Sequence, residues 1–115
     1  MTLLELATRA EQAEGANYAL DVEISDAIWR MKWGKRRPKD IKVQPYTASL
    51  DAALMLVPEG WVIWQMGEYR DISPLIWHAT LWQRDADNPG PCCYGTTPAL
   101  ALTAAALRAM AKEGV

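Results

Sequence analysis

Sixteen residues, Tyr46 to Trp61, constrain this chain more than any other stretch. Thr47 or Ser49 can cap a helix there, and Asp51 would sit in its electropositive first turn. Leu50, Ala53, Leu54 and Val57 follow at the i, i+3, i+4, i+7 spacing of a buried helical stripe. Pro58-Glu59-Gly60 stops that helix and turns the chain into a strand led by Trp61. A matching segment lies further on. Thr97 caps and Pro98 opens a helix whose stripe is Leu100, Ala104, Leu107 and Ala111, widened by Leu102 and Ala106. Five alanines from Ala99 to Ala106 keep it thin enough to approach a sheet closely.

The intervening sequence supplies the other elements. Residues 2–14 are amphipathic, with Leu3, Leu6, Ala7 and Ala10 on one face, a Thr2/Glu5 capping box and Gly15 as the stop. Residues 17–31 form a second helix with Asn17 as cap and Leu20, Ile24, Ala27 and Ile28 inward. Gly34, Pro38 and Pro45 make 32–46 an irregular connector, in which Ile41–Gln44 is an edge strand at best. Trp61–Met66 and Leu75–Gln83 alternate as strands around a polar Gly67–Pro74 loop, and Arg84–Gly95 reads as a long loop. Neither strand has a clean polar face, which predicts cover on both sides. The expectation is one domain over 1–115, of α/β (α+β) class. It is a three-layer α/β/α sandwich around a small antiparallel sheet, in the order α-α-α-β-β-α.

The run Tyr46-Thr47-Ala48-Ser49-Leu50-Asp51-Ala52-Ala53-Leu54 with Val57-Pro58-Glu59-Gly60-Trp61 resembles the phage ABA sandwich domain. So does Thr97-Pro98-Ala99-Leu100-Ala101-Leu102 with Ala104-Ala105-Ala106-Leu107-Arg108. The resemblance spans Leu3 to about Ala111. It implies a small bacteriophage or prophage protein whose sheet carries helices on both sides, and it carries over no catalytic residue.

Charge is unevenly placed. The formal net charge is −2, yet seven of the twelve Lys and Arg residues fall between Arg30 and Lys42, with Asp40 the one acid among them. Six acids and Arg9 precede Trp29. A local basic patch on an acidic chain argues against coating of double-stranded DNA. Within that patch Trp33, Lys35, Arg36, Arg37, Lys39 and Tyr46, next to Trp29, combine stacking faces with phosphate-binding cations. They are the candidate ligand-binding residues for a nucleotide-like anionic small molecule. The plainer alternative is a solvated loop whose tryptophans cap the helical core.

No catalytic residue set stands out. His78 is the single histidine and would need a carboxylate such as Asp71 or Glu59 to act as a base. Cys92 or Cys93 with His78 would make a dyad, but no local signature supports one. No metal site, cofactor or phosphate-cradling glycine loop is expected. Trp61, Trp64, Trp77 and Trp82 read as core. Leu3–Ala7 is too short for a signal peptide and no run approaches a membrane span, so a cytoplasmic protein without membrane contact is expected. The resulting expectation is a phage-encoded binding protein, not an enzyme, that antagonises host defence by sequestering a nucleotide-derived immune signal. Exposed strand edges call for a homo-oligomer, a dimer or larger. The alternatives are a protein–protein interaction module, with a host protein as partner, and a small hydrolase using His78.

Overall fold

The computed structural model describes residues 2–69, 76–84 and 90–112. Four helices and one three-stranded antiparallel sheet follow in the order α1 (Leu3–Gln12), α2 (Tyr18–Trp33), α3 (Leu50–Leu54), β1 (Trp61–Tyr69), β2 (Ile76–Gln83), β3 (Cys92–Gly95) and α4 (Pro98–Lys112). The fold is α+β. The expected order lacked β3, because Cys92–Gly95 sits at the end of a stretch rich in Asp, Asn, Pro and Gly and is only four residues long.

The caps are where the sequence puts them, with one exchange of roles. Thr2 Oγ1 accepts from Glu5 N–H at 3.1 Å while Glu5 Oε1 accepts from Thr2 N–H at 3.3 Å, completing the capping box of α1. That helix stops before Gly15, at an extended Ala13 whose carbonyl accepts the Thr96 hydroxyl at 3.1 Å. Asn17 Oδ1 caps α2 through Leu20 N–H at 3.0 Å. Ser49, not Thr47, caps α3, through Ala52 N–H at 3.3 Å. Thr47 is a brace instead. Its hydroxyl accepts from Asn17 N–H at 2.8 Å and donates to the Asn17 carbonyl at 3.2 Å, while its own N–H reaches the buried Asp21 carboxylate at 2.8 Å.

The expected α3 stripe is out of phase. Leu50 and Leu54 are exposed, and Ala52, Ala53 and Leu56 are buried. A five-residue helix has too little length for a 3.6-residue period to fix its inner face.

Strand order is β1-β2-β3. The β1–β2 register slips between Ile63 and Gln65, leaving Trp64 as the bulge residue. Gly67–Tyr69, expected as loop, extends β1, and 70–75 lie outside the described residues, Asp71 and Leu75 among them. The expected edge strand at Ile41–Gln44 is irregular chain.

One sheet face presents the buried Ala79, Leu81, Cys93 and Gly95 to α4. At Gly95 an added Cβ would lie 2.7 Å from the Ala101 nitrogen, so the strand and helix backbones touch. The opposite face carries Trp64 and Trp82, packed at 5.3 Å with planes inclined at 53°, and an exposed Tyr94. Among the described residues the helices pack on the first face only. Mixed apolarity on the strands therefore reflects half-exposed aromatics, not a second helical layer, and Trp64, 47% exposed, is not core as expected. Trp61 is buried and Trp77 packs against the core.

The element at the centre is α4. Every residue from Ala99 to Leu107 is buried, with the sheet on one side and α1 and α3 on others. A helix apolar all round is one that is surrounded. Arg108, where α4 leaves the core, donates to Glu11 of α1 through Nε at 3.2 Å and through a terminal nitrogen, and to Thr8 at 3.3 Å.

Candidate functional site

The long second helix turns one face toward the connector. Ser25, Ile28, Trp29, Lys32 and Trp33 follow at i, i+3, i+4, i+7 and i+8 and share that face. Gly34 ends the helix in the left-handed conformation, φ 70°, which favours glycine, with its N–H bonded to the Arg30 carbonyl at 2.7 Å. The connector then folds back along α2. Arg37 fixes it there: Nε donates to Asp26 Oδ1 at 2.7 Å, and a terminal nitrogen donates to the Ile41 carbonyl. Tyr46 anchors the far end, its carbonyl accepting the buried Thr103 hydroxyl of α4 at 3.0 Å.

Between α2 and the connector lies a cleft of about 230 Å³. Its inner wall is the buried Ser25, Ile28 and Tyr46, and its rim is the exposed Trp33, Lys32, Ile41 and Lys42, with Gln44 and Arg37 between. Trp29 and Trp33 stand 5.9 Å apart with planes inclined at 45°. The Arg37 charge is offset by Asp26. Lys32 and Lys42 make no ion pair among the described residues, so the rim is net positive.

Two atoms buried behind the cleft wall are out of balance. Trp29 Nε1 and Ser25 Oγ are buried and make no hydrogen bond. An orphaned buried polar atom costs about 1–3 kcal/mol. Burial pushes the Tyr46 phenol above its ordinary pKa, against an opposing pull from the adjacent Ser25 hydroxyl, and the nearby Asp21 charge pushes it further up. That closeness does not give Ser25 a hydrogen bond of ordinary geometry.

Of the six residues expected to bind, the structure brings Trp33, Arg37 and Tyr46 together in the cleft. It leaves Lys35, Arg36 and Lys39 exposed and outside the lining. Arg37 does not project from its loop; it is spent on holding the connector. Ser25, Trp29, Lys32 and Lys42 line the cleft without having been singled out as ligand residues. The first three were detectable as a helical face, since they stand seven residues apart end to end on one stripe with Trp33 beside them.

The alternative chemistry is placed elsewhere. His78 and Cys92 share the outer sheet face on neighbouring strands, where His78 pairs with Tyr94 and Thr80 with Cys92. Cys93 points the other way, into the core, where burial pushes its thiol up to about 12. Asp71 lies outside the described residues, and Glu59 is exposed in the turn before β1. Among the described residues no three His, Cys, Asp or Glu side chains converge as metal ligands, and no helix is long and apolar enough to cross a membrane.

No protein-family model, curated protein or solved structure matches the chain.

Proposed function

We propose that this protein is a binding protein, and that the cleft between α2 and the connector holds a nucleotide-like anionic small molecule. One observation carries the reading: a cleft of about 230 Å³ combines the aromatic residues Trp29, Trp33 and Tyr46 with a rim whose Lys32 and Lys42 make no ion pair among the described residues. Aromatic faces and lysines are the usual means of holding a base and its phosphate. In this reading the chain binds and does not convert. Its biological role, resting on the resemblance to phage proteins, is to sequester a nucleotide-derived immune signal in the cytoplasm of an infected host.

Calorimetry against a panel of nucleotides and cyclic dinucleotides tests it. Binding by the wild type, lost in Lys32→Glu/Lys42→Glu and weakened by raised salt, supports the reading. A wild type that takes up no phosphorylated compound removes it.

The outer sheet face, on which Trp64 and Tyr94 are exposed and Trp82 packs on Trp64, favours a second reading, in which the chain is an interaction module and that face meets a protein. Recovery of a stoichiometric protein partner that Trp64→Glu releases would put this reading first.

A further inference from the structure

We propose that β1 is the interface for a second copy of this chain, and that the two copies join edge to edge into one continuous sheet. The strands run β3-β2-β1-β1-β2-β3 in that assembly, with the helices of both copies on the same face.

The free edge of β1 is open. It is the longest strand, and it carries neither Lys nor Pro, the residues that commonly guard an edge. Among the described residues α4 packs on β2 and β3 and α1 packs on β3, but no helix runs along β1. Among those residues its one backbone bond to a segment other than β2 is from Trp61 N–H to the Pro58 carbonyl, at 3.1 Å. Ile63, Trp64 and Gln65, at its middle, are exposed.

The occupant follows from the faces of the side chains. Ile63 and Met66 pair with Leu81 and Ala79 on the helix side, where Trp61 is also buried. Glu68 pairs with Trp77, which packs against the core, so it takes the same side. Val62, Gln65 and Gly67 pair with Trp82, Thr80 and His78 on the outer side, where Trp64 packs on Trp82. From Trp61 to Glu68 the order is therefore in, out, in, out, out, in, out, in. The bulge makes that order the same in both directions. A regular strand meets β1 only by leaving Trp64 unopposed, as β2 does. An antiparallel copy that sets Trp64 against the partner's Gln65 leaves no residue unopposed, and every side chain meets one on its own face. A two-fold axis then passes between the two bulges, as a self-complementary interface requires.

Charge agrees with that register. Glu68 is the one charged residue between Trp61 and Tyr69. In the pair it stands opposite the partner's Trp61. Lys112 lies over the Trp61 ring, 6.0 Å from its centroid. Each copy thus brings an acid to the place where the other holds a base, and the contact occurs twice. Ile63 meets the partner's Met66, and the exposed Trp64 side chains meet at the axis.

The test is analytical ultracentrifugation of the full chain at low salt. The wild type should be a dimer at micromolar concentration. Glu68→Lys and Lys112→Glu should each weaken the dimer about 3- to 10-fold. The double variant Glu68→Lys/Lys112→Glu, in which the charges are exchanged, should return to within about twofold of the wild type. Raised salt should shrink these differences. Circular dichroism checks that each variant is folded, and recovery in the double variant separates a lost contact from a lost fold. A monomeric wild type, a dimer indifferent to both single changes, or a double variant no tighter than the single ones overturns the proposal. A dimer that Trp64→Glu dissolves while both charge variants leave it intact is held by the outer sheet face and overturns the edge pairing as well.

Discussion

At the scale of single residues, Thr47 is where position and role part company. It precedes a short helix and has a capping side chain, yet it serves α2, joining Asn17 and Asp21 to the segment before α3. Replacing it by valine keeps its shape and leaves the Asn17 N–H without its acceptor. The expected loss is about 1–3 kcal/mol in a denaturant titration, against about 1 kcal/mol for the cap substitution Ser49→Ala. Equal losses would mean that Asn17 finds another acceptor. Cys93 supplies a pH signature. Its thiol is held up to about 12 chiefly by burial. An unfolded cysteine titrates near 8.5. Between those values the unfolded chain has lost a proton the folded one keeps, so stability falls as pH rises through that window and is unaffected by this group below it. A melting series from pH 8 to 11 should show the decline, less steep in Cys93→Ala by up to about 1.4 kcal/mol per pH unit. Cys92 is exposed, so a thiol reagent should label it in the native protein and reach Cys93 only on unfolding.

At the scale of elements, the contact that shapes the cleft is the return of the connector onto α2. The Arg37–Asp26 pair is part exposed on the Asp26 side, so its contribution to global stability is small, about 0–1 kcal/mol. Its local effect is larger, because it also holds the Ile41 carbonyl. Arg37→Ala should lose amide protection across 38–44 in hydrogen exchange and weaken ligand binding, with a barely shifted unfolding midpoint. Arg36→Glu, on an exposed side chain outside the cleft, should do neither. The sequence distinguished these neighbours by nothing: both are arginines between Gly34 and Pro38, and only the fold shows which one finds Asp26, eleven residues back from Arg37. Helices were legible because caps and periodicity are local. Thr2, Asn17, Ser49 and Thr97 all cap where spacing says they can. The third strand and the phase of α3 were not, since four or five residues carry too little pattern. The cleft was half legible: its aromatic and basic composition is written in the connector, while its polar inner wall comes from α2, whose Ser25 and Trp29 gain meaning only when the connector closes over them.

At the scale of the whole molecule, the helices among the described residues cover one side of the sheet, and β1 and β3 are its edge strands. On its outer face Trp64 and Tyr94 are exposed, and Trp82 packs on Trp64 at 5.3 Å with the planes inclined at 53°. A second copy of the chain is the expected cover. Size exclusion with light scattering at micromolar concentration should give at least twice 12.8 kDa, and Trp64→Glu should return it to the monomer value. A wild type that runs as a monomer would leave that face to a different protein. The burial of α4 on all sides has a consequence for how the chain acquires its structure in time. The helix at the centre follows every other described element in chain order, and its neighbour α1 is separated from it by most of the sequence. A ribosome exposes α1 through β3 before α4 exists to receive them. Those segments have only partial apolar surfaces to offer one another until residues 98–112 emerge. Arrested nascent chains ending before Pro98 should therefore be protease-sensitive throughout, and resistance should appear in one step once Lys112 has cleared the exit tunnel.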